Sequence, residues 1–342
     1  MPPSQTQTSL HSIIGQEKAK LFLTRAVRAG KMSHAYLFRG PAGIGKRSTA
    51  LAFAAYLNCL NRTDDDACGT CRQCRKFASG NHPDLLLIEP DGSAIKIDQI
   101  RSLKKDLLFP PLEAQCRVVV LTSIHTMRRE ATNSLLKTLE EPPDNTVLIL
   151  TADAAGEILP TIRSRCQTIP FYPLPYNQVI NYLLSRPKRA GRAADSISVT
   201  EAETLAAIAE GSIGRAMLFK EKDILALRHE IVTRLLPLQP GEPEAVDTVF
   251  SLAEQAAKLE NHLPELFILL KIWLRDLILL ANGMPETSLI SRDLATSLAL
   301  AGQRFNLQQL KDQLHHIDRA EKQLKRNCNR GLVCEVLFFG LL

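Results

Sequence analysis

The chain has 342 residues, 45% of them hydrophobic and 23% charged, a balance that excludes wholesale disorder. Its length exceeds one comfortable core, so two or three domains are expected. A net charge of +6 favours contact with nucleic acid or another polyanion. So thin an excess over so long a chain does not by itself choose a partner.

The opening "MPPSQTQTSLHSIIGQ" lacks the basic start and apolar core of a secretory signal, and no run of about 18 apolar residues crosses a bilayer. A cytoplasmic location is expected, where eight cysteines are read first as metal ligands and not as disulfides. Past the polar tail, residues 13–32 place Ala19, Phe22, Leu23, Ala26 and Val27 at helical spacing on a basic stretch. Apolar runs then alternate with helices: "AYLF" at 35–38, a helix over 46–60, "LLLIEP" at 85–90, a helix over 97–108. "RVVVLTS" at 117–123, a helix over 130–141, "TVLILTAD" at 146–153 and "CQTIPF" at 166–171 continue the pattern. Short β-branched strands flanked by helices predict a parallel α/β sheet.

The prolines of "FYPLPYNQ" end that alternation. Residues 179–221 read as a small group of helices, and 224 to the end as a larger one interrupted by "LPLQPGEPE". The expected organisation is an α/β domain over 1–173, a small helical domain over 174–222 and an all-α domain over 223–342.

"GPAGIGKRS", Gly40 to Ser48, lies between a strand and a helix. A phosphate loop needs glycines so that successive backbone N–H groups turn inward, a Lys that reaches the terminal phosphates, and a Ser or Thr hydroxyl for Mg²⁺. Gly40, Gly43, Gly45 and Lys46 meet the first two demands, and Arg47 fails the third. The bland alternative is a glycine turn into a helix. An ATPase would also carry acids at the end of a neighbouring strand, for the metal and the attacking water. The strand "VVVL" ends instead in Thr122-Ser123, neither of which serves as a base at neutral pH. These two losses argue against hydrolysis by this chain, while the glycines and Lys46 leave binding of ATP or ADP open.

Cys59, Cys68, Cys71 and Cys74 follow the spacing C-x8-C-x2-C-x2-C. Four soft ligands on tight turns suit tetrahedral Zn²⁺, and with no open position the metal is structural. Iron–sulfur proteins also use C-x2-C-x2-C, but with the fourth Cys and a Pro downstream, whereas here it lies upstream. Cys116, Cys166, Cys328 and Cys334 are scattered and read as small core residues.

In order along residues 11–216, "HAYLFRGPAGIGK", the cysteine quartet, "HPDL", "NSLLKTLEEPPDNTVLILTAD" and "LPTIRSRCQTIPF" resemble the clamp-loader subunits of bacterial DNA polymerase III, within the AAA+ superfamily. The resemblance implies a helical lid after the sheet domain. It also implies an oligomer collar in the C-terminal domain, whose "IDRAEKQLKRNCNRGLVCEVLFFGLL" is similar to the family's last helix pair. It gives Arg165 of "SRC" the role of an arginine finger that reaches the γ-phosphate of ATP held by a neighbouring subunit; Arg163 reads as an ordinary solvated arginine.

Motor subunits of the family keep the hydroxyl after the loop Lys, an Asp-Glu pair and the Arg of "GSxRxA". This chain has Arg47, Thr122-Ser123 and "GSIGRA", with Gly214 at the Arg position and Arg215 displaced by one. That combination resembles the stationary, non-hydrolysing member of the assembly. The implied partners are the gamma/tau motor subunits, the delta subunit, the sliding clamp and, through the assembly, primer-template DNA. An active ATPase subunit with an unusual site is the alternative. A free-standing zinc protein that reads DNA is disfavoured, since no recognition helix stands out and aromatic residues are 5% of the chain.

Overall fold

The computed structural model describes residues 8–92, 94–153, 158–186 and 197–342. They gather into two compact units, one from Met1–Gln178 with Gly211–Gly214, the other from Val179–Glu210 with Arg215–Leu342.

The first unit is built on five strands, β1 (Ala35–Arg39), β2 (Leu85–Ile88), β3 (Arg117–Leu121), β4 (Thr146–Ala152) and β5 (Gln167–Pro170). They pair in the order β2-β3-β4-β1-β5, all parallel. Because side chains alternate across a strand, β1 to β4 each serve two cores, while edge strand β5 gives Ile169 to one of them. Tyr36, Phe38, Val118, Val120, Val147 and Ile149 pack into one. Leu37, Val119, Leu121, Leu148 and Leu150 pack into the other. Burial on both faces explains why β3 and β4 read as unbroken apolar runs.

Helices α1 (Glu17–Arg28) and α2 (Lys46–Asn58) contribute to the first core, with α3 (Arg72–Ala78) inside the cysteine segment. Helices α4 (Ile97–Asp106), α5 (Arg129–Glu140) and α6 (Pro160–Arg163) contribute to the second. Alanines 50, 52, 54 and 55 of α2 are fully buried, so that helix lies close against the sheet.

Between α4 and β3 the chain carries Leu108, Phe109 and Leu112 at 80%, 68% and 76% exposure. Their backbone is nevertheless tightly held. The buried Arg117 guanidinium donates to the carbonyls of Asp106, Phe109 and Pro110 at 2.6, 2.8 and 2.9 Å. The buried Asp84 carboxylate accepts the N–H groups of Leu112, Glu113 and Ala114 at 2.7–2.9 Å and lies 3.4 Å from Arg117. Burial raises the Asp84 pKa, but these donors outweigh it and the carboxyl is held below its ordinary value. Asp84 belongs to "HPDL", whose His82 stacks on Phe77 at 4.1 Å and meets Gln73 Oε1 at 2.5 Å. Burial pushes the His82 pKa down.

α7 (Tyr176–Ser185) begins at the edge of the first unit, and α8 (Val199–Ile208) lies in the second. α9 (Ile213–Glu221) follows the Gly211–Ser212 turn. α10 (Ile224–Leu235), α11 (Pro243–Ala257), α12 (Leu263–Ala281), α13 (Ala295–Arg304), α14 (Leu307–Lys325) and α15 (Arg330–Phe339) complete the second unit. α12 is its centre, with Leu266, Phe267, Leu270, Leu274 and Leu277 fully buried among α10, α11, α13 and α14. "LPLQPGEPE" spans the α10–α11 turn, and Pro243 starts α11 where its missing N–H is harmless. α11 and α15 pack together, with Phe250 and Phe339 edge-on at 6.1 Å. Val246, Phe250, Leu332, Val336 and Phe339 remain exposed on that pair. Among the described residues no helix is long and apolar enough to cross a membrane.

Candidate functional site

β1 runs into the loop at Gly40, and the loop ends at Gly45, the N-terminal flank of α2. Gly45 has φ 98° and Gly43 φ 73°, left-handed conformations that glycine adopts without strain. Such a turn directs backbone N–H groups toward one point at a helix N-terminus, the geometry that receives phosphate.

Lys46 is engaged inside the molecule. Its ammonium donates to Gly40 O at 2.6 Å, Pro41 O at 2.5 Å and Asp153 Oδ1 at 3.0 Å. A lysine has three donors, and three acceptors of this unit meet them. The side chain is 7% exposed. Burial pushes its pKa below the ordinary lysine value, with Asp153 opposing. His125 completes the cluster: its Nδ1 lies 3.3 Å from Asp153 N and its Nε2 3.6 Å from Asp153 Oδ2.

At the end of β3, Thr122 and Ser123 are tied to the sheet. Thr122 Oγ1 lies 3.5 Å from Ile88 O, and Ser123 N donates to Thr151 Oγ1 at 3.1 Å. Arg47 turns away to pair with Glu89 at 2.9 Å. The carboxylate facing the loop lysine is thus Asp153, the residue after β4, which is not among the site residues expected from the sequence. A clue existed in its place after "LILTA", but the pairing joins residues 107 positions apart.

The turn before α9 closes on the loop. Ser212 Oγ donates to Ala42 O and Gly214 N to Gly43 O, each at 2.8 Å. A Cβ built on Gly214 would lie 2.7 Å from Gly43 Cα and 2.9 Å from Gly43 O. Glycine is therefore imposed at 214 by backbone contact. Arg215 pairs with Glu210 at 3.2 Å.

The four cysteines come together as their spacing implies. Their sulfurs all lie within 4.8 Å of one another, with Cys59–Cys71 and Cys68–Cys74 each at 4.0 Å. Thiolates about 2.3 Å from a tetrahedral ion sit about 3.8 Å apart, so this donor set fits such a metal. Backbone N–H groups reinforce it: Cys68 N donates to Cys59 Sγ at 3.2 Å, Cys71 N to Cys68 Sγ at 3.3 Å and Cys74 N to Cys71 Sγ at 3.5 Å. Hydrogen bonds from Thr70 and Cys71 hold the Cys68 thiol down at about 6, whereas burial raises Cys59 and Cys74. The scattered cysteines do not all behave as core residues. Cys334 is buried and Cys116 and Cys166 half-buried, but Cys328 is exposed, in the polar turn between α14 and α15.

Arg165 follows α6, away from the loop in sequence and at the surface, with a third of its side chain exposed. Its Nη1 donates to Thr161 O at 2.9 Å and to Ser164 Oγ at 3.3 Å, and its Nη2 to Glu140 Oε1 at 2.5 Å.

Comparison with known proteins shows the family of the chain. Residues 15–175 match the family model "DNA polymerase III, delta subunit", and residues 222–341 match "DNA polymerase III, delta subunit, C terminal". The delta' subunit of DNA polymerase III from Bacillus subtilis is 31% identical over 319 residues, 93% of this chain and 94% of that protein. The tau subunit from the same organism is 37% identical over 159 residues, 46% of this chain and 28% of tau. In fold the chain is similar to a gamma subunit-related protein of DNA polymerase III from Thermotoga maritima, with a TM-score of 0.51 at 19% identity over 94% of this chain and 98% of that one. The match to the Bacillus subtilis delta' subunit runs almost from end to end at 31% identity, and two delta-subunit family models cover residues 15–175 and 222–341; the chain belongs to the delta' (delta-prime) subunits of the DNA polymerase III clamp loader.

Proposed function

We propose that this chain is the stationary subunit of the loader, one that neither burns ATP nor needs it, and that it lends Arg165 to a neighbouring motor subunit. The observation that carries the first half is the capture of the Lys46 ammonium by Gly40 O, Pro41 O and Asp153. A lysine whose three donors are taken in this way has to leave a partly buried ion pair to reach a phosphate. Thr122 and Ser123 then offer neither a metal-binding carboxylate nor a base.

The second half rests on Arg165, the arginine of "SRC", a permanent cation at the surface. Such a residue, set against a neighbour's γ-phosphate, stabilises the charge that develops as the bond to the leaving group breaks. Gly40, Gly43, Gly45 and Lys46 act as an inherited joint that receives the 211–214 turn, with no cofactor between them. Cys59, Cys68, Cys71 and Cys74 hold a structural Zn²⁺.

Residues 174–222 form the lid of this reading and 223–342 its collar. The exposed apolar side chains of α11 and α15 support a packing role for the collar. The gamma/tau and delta subunits are the direct partners, the sliding clamp is the cargo, and DNA is met through phosphates and hence in a salt-sensitive way.

The test is nucleotide hydrolysis by the purified chain and by a loader reconstituted with its motor and delta subunits. The chain alone is expected to be inactive, and Arg165→Ala is expected to assemble normally yet lower the loader's ATPase by about 10³-fold or more. Turnover by the isolated chain that Lys46→Ala abolishes would establish the active-ATPase alternative instead. Unchanged loader ATPase in Arg165→Ala would remove the trans role.

A further inference from the structure

Helix α5 ends in two adjacent acids, Glu140 and Glu141, before Pro142 and Pro143. A helix C-terminus carries partial negative charge, so acids there are set against the dipole as well as against each other. A capped helix alone gives no reason to place them so. The site supplies one: α6 packs against α5, and the Arg165 guanidinium lies on the Glu140 carboxylate at 2.5 Å.

That pair is about half exposed on the Glu140 side, 47%, and a third exposed on the Arg165 side, so it contributes little to stability. Its effect is on orientation. A free arginine samples many rotamers and must surrender that freedom to meet a phosphate. Here Nη2 is anchored by Glu140 and Nη1 by Thr161 O and Ser164 Oγ, so these contacts favour one arrangement of the side chain before any neighbour arrives. The Pro142-Pro143 step, which stops α5 at this point, fixes where the carboxylate stands.

We infer that Glu140 is a positioning residue for Arg165: it touches no nucleotide and acts by holding the guanidinium in place for the neighbouring subunit's ATP. The inference rests on the reading of Arg165 as the residue presented in trans. In the loader reconstituted from the full-length chain, motor and delta subunits, Glu140→Ala lowers kcat for ATP hydrolysis about two- to tenfold, the cost of re-ordering one rotamer-rich side chain. KM for ATP changes less than kcat. Glu140→Gln retains most of the rate, because its amide oxygen still accepts from Nη2. In an Arg165→Ala background, Glu140→Ala has no further effect. Unaltered melting of the single variants and an unaltered elution position of the loader show that fold and assembly are intact.

A wild-type kcat for Glu140→Ala, beside a suppressed Arg165→Ala, overturns the positioning role and leaves the trans role standing. So does a loss of the same size whether or not the arginine is present. A wild-type rate for Arg165→Ala removes the trans role and this inference with it.

Discussion

Gly214 and Gly43 touch through their backbones: the 214 N–H donates to the 43 carbonyl at 2.8 Å, and a Cβ at 214 would lie 2.7 Å from the Cα of 43. Glycine at 214 is thus fixed by the loop it covers. A position that cannot hold a methyl group without moving the phosphate loop cannot hold a nucleotide-sensing side chain in this arrangement.

Gly214→Ala is therefore expected to destabilise the first unit by about 1–3 kcal/mol, through a backbone shift at Gly43 or loss of the Gly214–Gly43 hydrogen bond. Urea unfolding with an unchanged m-value and a lower midpoint would report it. An Ala variant as stable as the parent would mean that the loop yields freely and that the contact is incidental.

The engaged Lys46 makes a second expectation. A ligand that binds the folded chain at a hundred times its Kd stabilises it by about 2.7 kcal/mol, which moves the melting temperature of a domain this size by several degrees. Millimolar ATP with Mg²⁺ is expected to leave the melting temperature of the isolated chain where it was. A rise of several degrees that Lys46→Met removes would show that nucleotide displaces Gly40 O, Pro41 O and Asp153 from the ammonium.

Asp84 is expected to contribute to the acid sensitivity of the first unit. Its folded pKa lies below the unfolded value near 3.9, so its contribution is fully present above that value and is lost as pH falls through the folded one. Asp84→Asn should flatten the stability profile below about pH 4. At neutral pH it should cost about 3–5 kcal/mol, since Arg117 is left buried beside a neutral partner. Chemical denaturation of both proteins at pH 7 and pH 3 checks this. A cost that stays constant across that range would mean that the carboxylate charge is not what holds the 106–114 loop.

The strands were legible because burial on both faces writes itself as runs such as "VVVL", and α5 because two prolines end its amphipathic pattern. α3 and α6 were not, since seven residues and four residues are too short for a period to emerge. The glycines, Lys46 and the cysteine quartet could be found by spacing. The partners of Lys46 could not, because Asp153 joins it through the parallel pairing of β1 with β4 and leaves no local mark. Arg117 and Asp84 escaped notice for the same reason, one opening β3 and the other preceding β2.

The cysteine quartet joins two helix ends: Cys59 follows the last residue of α2, and Cys71 is the N-cap of α3, its sulfur accepting from Cys74 N. A bound ion would tie these ends together and leave the phosphate loop, a 13-residue helix away, untouched. Cys71→Ser is thus expected to lose the ion and loosen α3 while the sheet stays intact. One zinc per chain in the parent and less in the variant, by elemental analysis, would establish the ligand set. Amide exchange should then quicken across residues 60–80 and remain slow in β1, β3 and β4, whose side chains also fill the second core, which contains none of the four cysteines. Full zinc content in Cys71→Ser would reject the quartet as the site, and faster exchange in β3 would show that the metal supports the whole sheet domain.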